Sequence, residues 1–185
     1  MNQEPAARIS AYGVMLRPVC PADLPSLRRW RNSEPVRCQM LSQQIISARQ
    51  QRCWFERMYD EPSRRHWCVE VNGLRTGYAN LKGSASGNLA HQACADSGLY
   101  LGDTPVRHGL LATAVALCQL DAAFELLHIK MIKTQVKCDN SAALRLNSML
   151  GYQRGMQEHE FITLTLVAKD YFAARQSLMR FFRHV

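Results

Sequence analysis

The sequence predicts an α/β (α+β) fold, a mixed and mainly antiparallel sheet flanked by helices. Three observations predict it. Hairpin-like strand pairs stand on both sides of the middle of the chain, one turning at Asn72-Gly73 and one between residues 152 and 167. Between them, residues 98–114 (GLYLGDTPVRHGLLATA) read as a strand running into a helix, followed by a second strand and helix at 131–136 and 140–150. Strand and helix patterns otherwise mix without strict βαβ alternation.

Taken in order, residues 1–11 read as a loose leader and 14–17 as a short strand stopped by Pro18. A helix opens at Pro21-Ala-Asp-Leu24 and runs to about residue 31, with Leu24, Leu27 and Trp30 on one side. Residues 32–35 interrupt it, and 36–41 form a short helical turn. A longer helix covers 47–59, anchored by Trp54, Phe55 and Met58. Residues 66–71 alternate as a strand, 77–81 return after the turn, and 83–93 form a polar loop. The central strand is 95–101. The helix over 107–127 is apolar nearly all round and is expected to be buried. A strand at 129–137 follows, then Asp139-Asn140 cap a helix over 141–150, with Gly151 just past its end. Strands at 152–157 and 160–167 and an amphipathic helix at 168–182 close the chain. No repeat or linker divides it, so its 185 residues are read as one domain.

Lys and Arg number 23 against 15 Asp and Glu, a formal net charge of +8. That balance suits an anionic partner: nucleic acid, a phosphorylated cofactor, a nucleotide sugar or an acidic membrane. The chain has no basic block and no nucleic-acid-binding signature, which ranks a phosphorylated small molecule above nucleic acid. Seven cysteines without a CxxC pair fit a reducing cytoplasm better than a disulfide framework. His91-Gln-Ala-Cys94 stands alone and short of a metal-ligand set, so no metal is expected. With no secretory signal and no bilayer-length apolar run, the chain reads as a cytoplasmic protein with no membrane partner.

A strand that runs straight into a helix N-terminus leaves backbone N–H groups without partners. With the helix dipole they favour an anion, typically phosphate. Arg107 stands at that mouth.

Two motifs carry a family resemblance. Arg107-His-Gly-Leu110-Leu-Ala112 matches Arg/Gln-x-x-Gly-x-Gly/Ala, and the run from Asn140 through Ala143, Asn147 and Gly151 to Tyr152 matches Asn-x-x-Ala-x-x-x-Tyr-x-x-x-Gly-Phe. With the order of elements, they resemble the GNAT family of N-acetyltransferases over about residues 12–170. The resemblance implies a seven-stranded sheet with a splayed central parallel pair, and acetyl-coenzyme A (acetyl-CoA) as co-substrate. It assigns cofactor binding to Leu99, Tyr100, Leu101, Arg107, His108, Gly109, Leu110, Leu111, Ala112 and Asn140.

Four positions depart from the family pattern. Leu110 replaces the motif glycine. Asn147 stands where the family has a Tyr that protonates the leaving thiolate, and an amide gives up no proton at neutral pH. Gln135 stands where close relatives carry Glu, and Gln51 where several have His. The catalytic positions by resemblance are therefore Asp96, Asn147 and Gln135. Asp96 reads equally as a base and as a solvated residue at a strand start. His91 is an alternative base, and Tyr78 and Tyr100 are candidate phenols, each also readable as plain structure. No cysteine sits where a covalent intermediate would need it, so the resemblance implies direct transfer in a ternary complex.

Within the family, residues 27–40, Ile46-Ser47, Trp54-Phe55, residues 60–65 and Gly98-Leu-Tyr100 are similar to the aminosugar N-acetyltransferases of the pseudaminic acid pathway. Those act on a UDP-linked 4-amino-4,6-dideoxy sugar on the way to a sugar that decorates flagellin. This likeness places Arg31, Asn32, Met40, Gln51 and Trp54 at a nucleotide-sugar pocket; residue type alone makes Met40 and Trp54 core. Two other readings stay open: a ribosomal-protein or peptide N-terminal acetyltransferase, and an acyl-CoA-binding module that has lost turnover. Arg175, Arg180 and Arg183 read as a solvated face or a homodimer contact.

Overall fold

The computed structural model describes residues 8–102 and 110–182. Its strands are β1 Ile9–Ala11, β2 Val14–Pro18, β3 Arg64–Val71, β4 Leu74–Gly83, β5 Cys94–Leu101, β6 Met131–Lys137, β7 Gln153–Glu158 and β8 Phe161–Val167. Its helices are α1 Leu24–Asn32, α2 Glu34–Arg37, α3 Ala48–Tyr59, α4 Leu111–Asp121, α5 Ser141–Met149 and α6 Ala168–Leu178. The strands form one sheet in the order β1-β2-β3-β4-β5-β6-β8-β7. Every neighbouring pair is antiparallel except β5 and β6.

The sheet therefore has eight strands where seven were expected. The extra one is β1, inside the stretch read as a leader. It folds onto β2 because Tyr12 and Gly13 both take positive φ, 56° and 74°, and make a tight turn. Strand β4 is longer than the 77–81 expected, since the Asn72-Gly73 turn (φ 50° and 76°) lets pairing begin at once, Val71 with Leu74. The polar loop after β4 holds a 3-10 turn, Leu89–His91, whose Leu89 is fully buried.

Side chains alternate across the sheet and fill two cores. The larger takes Trp67 and Val69 of β3, Ala79 and Leu81 of β4, and most of α4. This burial explains why α4 shows no polar face; it continues as a π-helical turn over Ala122–Leu126. The smaller core, on the other face, joins Cys68, Tyr78 and Val19 to Leu27 and Trp30 of α1, with Trp54, Phe55 and Met58 of α3 packed against it.

At the far side of α4, Asp121 accepts hydrogen bonds from the hydroxyls of Tyr12 and Tyr171. Arg175 bonds the Tyr12 oxygen at 2.9 Å and pairs with Glu125 at 2.7 Å. Arg175 thus ties the first hairpin to α4 and α6, a tertiary role where a solvated face was expected. Arg183 lies outside the described residues. Among the described residues no helix is long and apolar enough to cross a membrane, and no cluster of His, Cys, Asp or Glu is arranged to hold a metal. All seven cysteines are unpaired.

Candidate active site

Strands β5 and β6 pair only at their start, Cys94 with Met131, Ala95 with Ile132 and Asp96 with Lys133. Beyond Asp96 they part, because each is held by its other neighbour. Strand β5 stays on β4 out to Leu101, and β6 stays on β8 throughout. The backbone direction along β5 follows from two bonds. Ala93 O accepts from the N–H groups of Lys130 and Met131, and Gly102 N–H donates to Thr76 O. Odd-numbered residues therefore face β6 and even-numbered ones face β4. Leu99 and Leu101 turn their N–H and C=O groups into the gap, and Tyr100 turns its own away. Such an edge fits an amide-bearing chain added as a further strand, as the pantetheine arm of coenzyme A would be.

The corner of the gap is tied. Thr134 Oγ1 donates to Ser97 O at 3.0 Å, and the Ser97 and Tyr152 hydroxyls lie 3.1 Å apart. A cleft of about 1050 Å³ passes through the gap from one face of the sheet to the other. Arg31, Met40, Gln51, Trp54 and Arg57 line one side, and Ala116, Gln119 and Leu120 of α4 the other. Gln119 holds α4 to the strands, donating to Asn80 O at 2.6 Å and Gly98 O at 3.3 Å.

Most expected site residues meet in this cleft: Arg31, Met40, Gln51, Trp54, Asp96, Leu99, Tyr100, Gln135, Asn140 and Asn147 all line it. Asp96 is flanked in register by Lys82 on β4 and Lys133 on β6. Asn140 also caps α5, its Oδ1 accepting from Ala143 N–H at 3.0 Å. Asn147 spends its Nδ2 on Ala143 O of its own helix at 2.8 Å, so its donor is turned away from the cleft chemistry. Tyr78 and Tyr100 stack at 5.1 Å, and both hydroxyls are engaged, with His66 Nδ1 and with Leu27 O.

Several expectations do not meet there. Asn32 does not line the cleft; its amide donates to Ile46 O at 2.8 Å and accepts from Ile46 N–H at 2.9 Å, stapling the segment before α3 to α1. Leu101 opens only its backbone into the gap, its side chain packing against the larger core, and Leu111 is fully buried in that core. Leu110 is the exposed N-cap of α4, and Ala112 lies in its first turn. His91 is exposed and away from the cleft lining. Arg107, His108 and Gly109 lie outside the described residues.

Ser97, Thr134, Tyr152, Arg57 and Lys82 line the cleft without having been singled out from sequence. Tyr152 sits at the aromatic position of the second motif, where its ring reads as core; only the hydroxyl, absent from Phe, hints at more.

Electrostatically the cleft is lopsided. Among its described residues Arg31, Arg57, Lys82 and Lys133 face one carboxylate, Asp96. Burial lowers the Arg31 guanidinium from its ordinary range, and its Nη1 is buried without a partner while Nη2 is bound to Ser42 O. Gln39 Oε1 is likewise buried and unpartnered. Burial also pushes the Tyr152 phenol well up, against the opposing bond from Ser97.

A family model described as an acetyltransferase (GNAT) domain matches residues 14–153. The chain belongs to the GNAT family. It is an acetyl-CoA-dependent N-acetyltransferase, and its mixed sheet with one parallel pair is the GNAT fold. No curated protein matches this GNAT chain. Solved structures do. FdhC, a nucleotide-linked sugar GNAT, superposes with a TM-score of 0.79 at 15% identity, covering 95% of this chain and 98% of its own. Spermidine N-acetyltransferase from Vibrio cholerae, in complex with CoA and spermine, gives 0.76 at 14% identity, covering 88% and 99%. Campylobacter jejuni N-acetyltransferase PseH, in complex with acetyl coenzyme A, gives 0.64 at 14%, covering 84% and 99%.

Proposed function

We propose that this GNAT transfers acetyl to the amino group of an anionic acceptor, a nucleotide-linked aminosugar of the UDP-4-amino-4,6-dideoxy type. The observation that carries this reading is the charge of the cleft, four cations against Asp96 alone. A polyamine such as spermine, held by one of the similar structures, would meet repulsion here. A diphosphate would meet Arg31, whose buried Nη1 lacks a partner. Trp54 supports the same reading, because it lines the cleft as a half-buried indole held edge-on by His66 at 5.3 Å, a rigid surface on which a base can stack.

In this reading the acyl donor lies along the β5 edge, with the amides of Leu99 and Leu101 on its arm or on the thioester carbonyl. The acceptor enters from the side of α1 and α3 and meets the donor at the gap. Asp96, set between Lys82 and Lys133, receives the ammonium proton directly or through water. Residues 103–109, with Arg107, His108 and Gly109, remain the proposed seat of the donor's pyrophosphate.

A second reading, acetylation of an acidic peptide N-terminus, is favoured by the same charge. The test is CoA release read by mass spectrometry with three acceptors: a UDP-linked 4-amino sugar, spermidine, and short acidic peptides. Acetylated sugar with silent spermidine and peptides is the expected result. Peptide turnover with a silent sugar moves the protein to the second reading, and spermidine turnover overturns both.

A further inference from the structure

We propose that the Tyr152 hydroxyl is the catalytic acid of this GNAT, protonating the sulfur of the departing thiol, with Ser97 as its relay partner. The proposal rests on the acetyl-transfer activity and is independent of which amine accepts.

The position follows from the chain. Helix α5 ends at Met149, and Gly151 just beyond its C-cap turns the backbone with a φ of 93°. Tyr152 N–H then bonds Asn147 O at 3.0 Å, and the ring is buried to 8% exposure with its oxygen 3.1 Å from Ser97 Oγ. Ser97 is the first residue of β5 beyond the last pair with β6. The phenol therefore stands at the apex of the gap, where Thr134 and Ser97 close it.

The apex is where the reacting end of the donor belongs. The wide end of the gap is at Leu101, the end of β5 farthest from its last pair with β6. A donor whose pyrophosphate sits at that end, as proposed above, runs its arm along the β5 edge toward Ser97, about 13 Å at ~3.3 Å per residue. The thioester, at the far end of the arm, arrives at the side chains that close the gap.

No other described phenol fits the task as well. Tyr78 and Tyr100 hold His66 Nδ1 and a backbone carbonyl, and Asn147 has no proton to give. Tyr152 is bound to another hydroxyl, which can donate as readily as it accepts. The step balances. The amine nitrogen bonds to the carbonyl carbon, the C–S bond breaks, and its electron pair leaves on sulfur. The Tyr152 proton goes to that sulfur. Asp96 has taken the ammonium proton before attack; after attack Ser97 returns a proton to Tyr152 and takes the second one the nitrogen sheds, so within the transfer step one proton moves from the neutral amine to the thiol. Burial holds the phenol protonated throughout the working range, which suits a proton passed on and replaced at once.

The test compares wild type with Tyr152→Phe, which keeps the ring. The first readout needs no acceptor: calorimetric binding of CoA and of desulfo-CoA at about pH 7 and about pH 9.5, a range that spans thiol ionisation. A hydroxyl at the sulfur stabilises the bound thiolate, so wild type gains CoA affinity over the variant several-fold at the higher pH. Desulfo-CoA binds both proteins equally, which also shows that the variant is folded. The second readout is CoA release with hydroxylamine as a general acceptor, where kcat falls about 100-fold at unchanged KM for acetyl-CoA. Equal CoA affinities at both pH values, or a kcat within about threefold of wild type, overturns the proposal. A wild type that uses hydroxylamine but no sugar nucleotide fails the acceptor reading alone, with the Tyr152 result still decided by its own comparison. A wild type that uses neither overturns both.

Discussion

Arg17 grips the Asp23 carboxylate with both ends of its guanidinium, Nη1 to Oδ2 and Nη2 to Oδ1, each at 2.7 Å. Asp23 is wholly buried, and Arg75 Nε adds a third contact at 2.8 Å. The cluster fixes the turn before α1, and so sets where α1 carries Trp30 and Arg31. Asp23→Asn leaves Arg17 facing an amide in a buried site, and should cost about 3–5 kcal/mol in urea unfolding. Burial alone would raise this carboxyl; the bonds from Arg17 and from Cys20 N–H outweigh it and bring it from 3.8 down to about 2. Its stabilisation is therefore complete above pH 3.8 and disappears as pH falls through about 2.

His66 gives a second and higher acid window. Burial, then the charges of Lys82 and Arg64, lower it from 6.5 to about 3. The unfolded chain takes up this proton first, so stability should fall as pH drops from 6.5 toward 3, by about 1.4 kcal/mol per pH unit. Urea midpoints in His66→Gln should lose that slope. A slope that survives the substitution assigns the proton elsewhere.

Gly102 has no room for a side chain. A Cβ there would lie 2.2 Å from Cε2 of Trp30, an indole ring held in the smaller core. Gly102→Ala must push Trp30 and with it α1. A loss of about 1–3 kcal/mol in thermal unfolding is expected, with a changed tryptophan emission. Unchanged emission would mean that the strand end moves instead.

Arg31→Met removes a cation from the side of the cleft proposed for the acceptor. KM for the anionic acceptor should rise about tenfold or more with kcat little altered, as expected when binding rather than chemistry is lost. KM for acetyl-CoA should not change. Steady-state kinetics at two salt concentrations checks this, since wild type alone should show the stronger salt dependence.

Features set by a few neighbouring residues were legible in the sequence. Asn72-Gly73 specified its hairpin, Asn140 its cap, Gly151 its helix end, and the apolar run of α4 its burial. Strand β1 was not, because three residues carry too little pattern and depend on Tyr12 adopting a conformation rare outside glycine. Leu89 was hidden by its polar neighbours. In the site, Met40, Gln51 and Trp54 came from a resemblance to known enzymes, and the cleft brings them together. Ser97, Thr134 and Tyr152 meet only through pairing between strands distant in sequence, and the stapling of Asn32 to Ile46 is likewise a matter of tertiary geometry.

The two cores share the sheet and little else. The smaller has five buried members, Val19, Leu27, Trp30, Cys68 and Tyr78, and lies on the side of the cleft proposed for the acceptor. The larger one carries α4 and Tyr152. Substitutions that repack α1 and α3 can therefore drift toward new acceptors while the machinery beneath the sheet stays under constraint. A lineage built this way can diversify its substrates quickly and still inherit a single chemistry.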